Sequence, residues 1–285
     1  MALQIVDLEI TWEKLPDDFI LPDDPVDNIN QPALAVALTD SLAVAGKLSP
    51  LSITPTNYGI CATLNGKIVV KAPDWAFIPE IRVERSQVER SYTPELQGAR
   101  PIIVMEFLSD TDGGEYSIKP TYPPGKWFFY ERVLEVPYYG IFDPKTGKLE
   151  LYRLDEKGFY QIQEPLDNGR YAIAPMELFL GVWEGTRENR NGYWLRWWNE
   201  AGELLLWGIE LVAQERQRAE AESQRAEAES QRAEAESQRA ETESQRAEVE
   251  SQRAEAERQR AEVERQRAER LMEQLRQAGI EPLDN

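Results

Sequence analysis

Histidine is absent from this 285-residue chain. That removes Ser-His and Cys-His nucleophile pairs, His-ligated zinc and a histidine general base together. Any chemistry falls to carboxylates, Lys, Tyr, Ser or a metal. Cysteine occurs once, at Cys61, so no internal disulfide framework can form, which fits a reducing cytoplasm. No uninterrupted apolar run is long enough to span a bilayer. The opening stretch from Met1 to Asp24 is acidic and interrupted by Pro, unlike a signal peptide. The expectation is a cytoplasmic protein with no membrane partner. Basic excess is missing too. The net charge is −19, and from Leu211 onward 13 Arg face 19 Asp plus Glu, so most of the acidity lies earlier. A sequence-independent phosphate binder usually carries a basic footprint, and this chain has none overall. A small local basic groove stays compatible with that charge, and a bound metal would offset part of it.

What is present divides near Gly208, predicting a domain over residues 1–207 and a long charged helix over 208–285. The second part repeats Gln217-Arg-Ala-Glu-Ala-Glu-Ser223 with drift to Met272. Its residues are strong helix formers with neither Pro nor Gly before Gly279, and Gly279, Ile280 and Pro282 read as a helix stop. A helix from Ile209 to Ala278 would be roughly 105 Å long. With Ala219, Ala226 and their successors at heptad position d, position a holds Ser223 to Ser251, then Arg258, Arg265 and Met272. That seam is small and polar. Arg225 pairs with Glu222 and Glu229 at helical spacing, and the pattern recurs. A solitary charged helix and a close-packed Ala coiled coil both remain open. Leu271, Met272 and Leu275 are the apolar patch able to anchor a partner.

The first part reads as α+β. Asn30-Gln31-Pro32 opens a helix with an apolar stripe at Leu34, Leu38, Leu42 and Ala45, and Gly46 stops it. Asn57 to Thr63 and Lys67 to Lys71 flank the Asn65-Gly66 hairpin signal. Ile78 to Val83 looks extended. Ile102 to Leu108 is a nearly continuous apolar run suited to a strand covered on both faces. Lys126 to Glu135 has helical spacing, Tyr138 to Phe142 is a buried-type strand, and Leu149 to Leu154 with Phe159 to Gln163 forms a hairpin. Tyr193 to Trp198 with Leu204 to Trp207 reads as another.

Three stretches carry the chemistry. Asp74 follows Pro73 after an apolar strand, Glu106 sits inside the run Ile102 to Leu108, and Lys126 opens the amphipathic segment. A carboxylate inside such a strand faces a desolvation cost unless paired, protonated or metal-bound. Two carboxylates and an ammonium are the parts needed to hold Mg²⁺ and place a water for phosphodiester attack. The plainer alternative pairs Glu106 with one Arg and leaves Asp74 capping a turn. Ser109 could bond a ligand carboxylate or cap a strand end. Asp143 fits the start of a turn better than a supporting site role. Trp194, Trp197, Trp198 and Trp207 read as packing rather than base-stacking residues. Lys67, Lys71, Arg82, Arg85 and Arg90, interspersed with Glu80, Glu84 and Glu89, read as a solvated mixed surface.

Pro73-Asp74, then Glu106-Phe107-Leu108-Ser109, then Lys126 with Tyr130, then Val136-Pro137-Tyr138-Tyr139-Gly140-Ile141-Phe142-Asp143-Pro144 resemble, in order and strand context, the putative restriction endonuclease family of PD-(D/E)XK type. The resemblance covers about Trp12 to Trp207, and Arg- and Glu-rich tails follow this domain in many members. It implies a restriction-endonuclease-like mixed β-sheet flanked by helices, followed here by the long helix. It also implies metal ligation (Mg²⁺ or Mn²⁺) by Asp74 and Glu106, with Lys126 as the third catalytic group. Lys126 would replace the lysine that related nucleases carry two residues after the Glu, a position held here by Leu108. The chain also departs from the family's Pro-Ser-Thr after Ser109, carrying Asp110-Thr111-Asp112-Gly113-Gly114 and an insertion, Glu115 to Gly125.

Two functional expectations follow. One is a metal-dependent DNA endonuclease, dimeric, with DNA as substrate. The other is a catalytically inactive scaffold of the same fold that engages a protein partner through its C-terminal helix.

Overall fold

A computed structural model describes residues 8–16, 19, 29–109 and 114–279. Asp110 to Gly113, and Ile280 and Pro282 of the expected helix stop, lie outside the described residues. In chain order the elements are β1 (Ile10–Thr11), α1 (Asn30–Val44), β2 (Ile60–Leu64), β3 (Lys67–Lys71), β4 (Trp75–Phe77) and β5 (Ile103–Phe107). Then come α2 (Lys126–Phe128), a π-helical segment (Phe129–Val133), β6 (Tyr138–Asp143), β7 (Lys148–Leu154) and β8 (Tyr160–Ile162). The series ends with β9 (Tyr171–Ile173), β10 (Leu178–Arg187), β11 (Arg190–Trp198) and α3 (Gly208–Gln277). Two short 3₁₀ turns complete it. The class is α+β: a mixed sheet with helices and one long C-terminal helix.

The strands make three sheets, β1-β2-β3, β4-β5-β6-β7-β8 and β9-β10-β11. In the central five-stranded sheet only β5 and β6 are parallel. Strand β5 is buried along its whole length, as its continuous apolar character requires. Because side chains alternate, it feeds two cores. Ile103, Met105 and Phe107 pack with Trp75, with the buried stripe of α1, and with Leu195 and Trp197 of β11. Val104 joins Ile60 and Val69 of the β2-β3 hairpin, Tyr130 and Tyr139. Glu106 points to this second side by the same alternation.

The apolar stripe Leu34, Leu38 and Leu42 of α1 is fully covered. Polar atoms then fix the helix in register. Thr39 Oγ1 accepts from Trp75 Nε1 at 2.9 Å and the Ala37 carbonyl from Trp207 Nε1 at 3.0 Å. Gln31 Nε2 donates to the Phe107 carbonyl at 2.8 Å.

Two local readings need correction, and a third is refined. Tyr193 to Trp198 pairs not with Leu204 to Trp207 but with β10, in a nine-pair ladder; only a Trp198–Leu204 bridge survives of the expected hairpin. Strand β10 carries Gly181 and Gly185, which weaken its sequence signal, yet a Cβ at Gly185 would sit 2.0 Å from the Trp183 ring, so the bare backbone is what admits that indole. Ile78 to Val83 is extended but makes only isolated bridges, from Ile78 and Ile81. Lys126 to Glu135 holds one α-turn and then a π-turn, with Leu134 N–H bonding the Phe129 carbonyl five residues back.

By contacts the chain forms two compact units, residues 1–212 and 213–285. Within the first, the opening turn of α3 is tied down. Glu210 accepts from fully buried Arg196 at 2.6 Å and from Trp207 N–H at 2.8 Å, while Arg196 lies 3.5 Å above the Trp207 ring. The remainder is α-helix to Gln277, closed by Gly279 at φ +70°, and none of the 70 residues of α3 is buried.

Candidate active site

The site begins with a missing donor. Strand β4 pairs antiparallel with β5 through Trp75 and Met105. Continuing that register places Asp74 opposite Glu106 and Pro73 opposite Phe107. A non-proline at 73 would give its N–H to the Phe107 carbonyl, but Pro has none. The Pro73 carbonyl is also diverted, accepting from Asn57 N–H at 2.9 Å. The ladder therefore stops, and both polar backbone atoms of Phe107 need other partners. Asp74 Oδ2 accepts the Phe107 N–H at 2.5 Å, and Gln31 supplies the donor for its carbonyl. The Pro-Asp pair thus ends a strand and sets a carboxylate beside Glu106.

Glu106 is completely buried. Its Oε2 accepts from Lys126 Nζ at 3.0 Å and its Oε1 from Tyr130 Oη at 2.9 Å. Burial pushes its pKa up to about 8; Lys126 opposes that rise and the neighbouring charge of Asp74 adds to it. Burial alone would lower the Lys126 ammonium, but Glu106, Asp74 and Glu115 together hold it above its ordinary value. The Tyr130 hydroxyl, buried and facing Glu106, is pushed well above the usual phenol range.

The insertion delivers Lys126 instead of displacing it. Ser117 N–H bonds the Gly114 carbonyl and Gly125 N–H the Lys119 carbonyl, folding residues 114–125 back on themselves. A Cβ on Gly125 would lie 2.0 Å from the Ser117 carbonyl oxygen, so this return is open to glycine alone. Lys126 and Tyr130, one turn apart, then face the same carboxylate. Glu115 is brought in as well, buried, with Oε1 3.9 Å from Lys126 Nζ. Neither Glu115 nor the role of Tyr130 was evident from spacing. The four-residue step from Lys126 to Tyr130 was the available signal for the second; an insertion gives none for the first.

Asp74, Glu106 and Lys126 are therefore brought together. The plainer alternative for Glu106 is not what the fold holds, since its partners are Lys126 and Tyr130 and no Arg. Other candidates fall outside. Ser109 is exposed beyond β5. Asp143 accepts from Lys145 N–H at 2.9 Å and Thr146 Oγ1 at 2.7 Å, a turn that, led by the Thr146 bond, lowers its pKa. Trp194, Trp197, Trp198 and Trp207 are buried. Arg82 pairs with Glu80, Lys67 lies over Tyr122, and Arg90 binds the Pro16 and Phe19 carbonyls.

Among the described residues no three His, Cys, Asp or Glu side chains cluster as a ready-made metal cage. Mg²⁺ is commonly held by one or two carboxylates with water and substrate phosphate filling the rest, so Asp74 and Glu106 are donors of the kind such a cation takes.

A family model, Uma2, described as putative restriction endonuclease, matches residues 56–187. That span contains Asp74, Glu106, Lys126 and Tyr130. A search of curated proteins found no match.

Proposed function

Starting from a segment, residues 56–187, that belongs to the Uma2 family of putative restriction endonucleases, we propose that this chain is a divalent-cation-dependent DNA endonuclease. Asp74 and Glu106 would hold Mg²⁺ or Mn²⁺. Such an ion, when bound, supplies neutralisation of the charge that develops on the phosphate. Lys126 places an ammonium at the same point, where it can orient the attacking water and share that charge. Tyr130 holds Glu106 Oε1 and so fixes the carboxylate's rotamer. Water adds to phosphorus, the P–O3′ bond breaks, and a 3′-hydroxyl leaves with a proton.

The observation that carries this reading is the fully buried Glu106 carboxylate, bonded by Lys126 and Tyr130 and raised in pKa by burial and by Asp74. The test is calorimetric titration with Mg²⁺ and Mn²⁺, paired with plasmid nicking, on the full chain and on Asp74→Asn and Glu106→Gln. These variants keep an acceptor for Phe107 N–H and for Lys126, so they separate charge from folding. Binding and nicking in the parent, with both lost in each variant, support the reading. Absence of divalent binding in the parent overturns it and leaves the scaffold alternative, a silent domain acting through α3.

A further inference from the structure

Glu115 is a buried carboxylate that the proposed reaction does not use. It is 7 % exposed and lies in the insertion, outside the pattern shared with the family. The backbone around it is fixed on two sides. Tyr139 Oη, from the buried strand β6, donates to the Glu115 carbonyl at 2.9 Å. The next residue, Tyr116, stacks on Trp127 with ring centroids 6.5 Å apart, and its hydroxyl donates to Glu150 Oε2 at 3.0 Å. Residues 115–116 therefore run alongside residues 126–127, Glu115 against Lys126 and Tyr116 against Trp127.

Two distances decide what this carboxylate can do. Lys126 Nζ lies 3.0 Å from Glu106 Oε2 and 3.9 Å from Glu115 Oε1. The first is a hydrogen bond and the second falls just outside that range. A shift of the ammonium by about 1 Å, well within the reach of a flexible four-carbon stem, exchanges the two. A divalent cation on Glu106 makes that shift necessary. It takes lone pairs of the carboxylate that Lys126 now uses, and it repels the ammonium. A lysine only 20 % exposed is costly to leave without an anion, and Glu115 is the anion already in place. Among the described residues no three carboxylates cluster so as to hold an ion, which directs Glu115 to the lysine and not to the cation.

We propose that Glu115 is a positioning residue for Lys126: it receives the ammonium when a divalent cation occupies Glu106, and so keeps the lysine beside the reacting phosphate. The inference rests on the cation site proposed above. It gives the insertion a task beyond delivering Lys126, since the same fold-back carries the second partner of that lysine.

The probe is MnCl₂, titrated calorimetrically into the full chain, Glu115→Gln, Lys126→Met and the double variant, with near-UV circular dichroism checking the fold of each. Glu115→Gln keeps the shape and removes the charge; Lys126→Met keeps the length and removes the ammonium. In the parent background Glu115→Gln should weaken Mn²⁺ about tenfold, because the lysine then stays on Glu106. In the Lys126→Met background the same change should cost less than about twofold, since no ammonium needs a new partner. Equal weakening in the two backgrounds would assign Glu115 to the ion itself and overturn the inference. An unchanged affinity in Glu115→Gln overturns it as well. Should Lys126→Met fail to fold, Lys126→Gln, which keeps a donor for Glu106, completes the cycle under the same criterion. Failure of the parent chain to bind Mn²⁺ at all removes the cation site itself, a distinct outcome with which the inference also falls.

Discussion

Lys126 Nζ and Tyr130 Oη hold the two oxygens of Glu106 separately, at 3.0 and 2.9 Å, from a single helical turn. One carboxylate inside a two-sided core is thereby satisfied without arginine. The turn that carries both groups passes directly into a π-helical segment. Segments of this kind recur at functional sites because the extra residue re-aims neighbouring side chains. Here the segment begins three residues after Lys126 and includes Tyr130.

Tyr130→Phe is expected to destabilise the chain by about 1–3 kcal/mol, because it leaves Glu106 Oε1 buried without a donor. It also removes a bond that lowers the Glu106 pKa, so the pKa of Glu106 should move further upward. Urea unfolding at pH 6 and pH 9 checks both points. The loss should be larger at pH 9, where the carboxylate is ionised. Equal stability of variant and parent at both pH values would show that the hydroxyl does no structural work.

Glu106 also sets a pH dependence. Its folded pKa is raised to about 8. The unfolded chain loses this proton near 4.5, while the folded chain keeps it until about 8. Over that interval the folded state binds more protons, so this group's contribution is full below about 4.5 and is lost as pH rises through 8. Glu106→Gln should remove the decline and gain roughly 1–3 kcal/mol over the parent at pH 8.5 without added cation. Divalent affinity should run the other way, rising about tenfold per pH unit up to 8 and then levelling, since binding displaces one proton. Calorimetry in two buffers of different ionisation heat reads the proton released. A flat affinity between pH 6.5 and 9 would remove Glu106 from the ligand set.

Much of this was legible in the sequence because local patterns were consistent with the fold. The Leu34, Leu38 and Leu42 stripe, the Asn65-Gly66 turn and the run Ile102 to Leu108 each describe their own burial. Glu106 stood out because a carboxylate in that run has to be explained. The rest depended on distance along the chain. Nothing near Gln31 says that Phe107, 76 residues later, will need a donor. That need arises only when Pro73 is laid against β5. Likewise β10 was obscured by its glycines, whose value lies in admitting Trp183 and Trp198. The helical period from Lys126 describes the first turn but cannot reveal a one-residue π insertion, because the apolar pattern survives it.

Gly125→Ala should act at a distance on Lys126. A Cβ there would meet the Ser117 carbonyl oxygen at 2.0 Å, a backbone atom that cannot rotate away. The return of residues 114–125 must open, and the start of α2 must shift. The expectation is a loss of about 2–4 kcal/mol together with weakened Mn²⁺ binding, and because Gly125 has an ordinary φ of −68° the loss is steric, whereas Gly169→Ala, at φ +74° with open space around it, should cost about 1 kcal/mol in backbone strain and leave Mn²⁺ binding unchanged. Urea unfolding and calorimetry on the two variants separate a general glycine effect from one specific to the site.

The long helix offers a last prediction, from charge at its seam. With Ala219, Ala226 and Ala233 at d, both flanking positions are acidic: Glu220, Glu227 and Glu234 at e, and Glu222, Glu229 and Glu236 at g. Two copies pairing through this seam, parallel or antiparallel, would bring Glu against Glu in heptad after heptad. From Ala219 to Ser251 the seam offers only Ala and Ser in return, too little apolar area to offset that repulsion. Arg225, Arg232 and Arg239 lie at c, within helical reach of g residues of their own helix, and further on Arg265, at a, pairs within its own helix with Glu269, at e, at 3.2 Å. Self-association at neutral pH should therefore not come from α3. Truncation after Val212 is expected to leave the association state unchanged in sedimentation at pH 7.5, whatever that state is. A full-length chain that dimerises at pH 7.5 while the truncated chain stays monomeric would show that the seam pairs despite its charges.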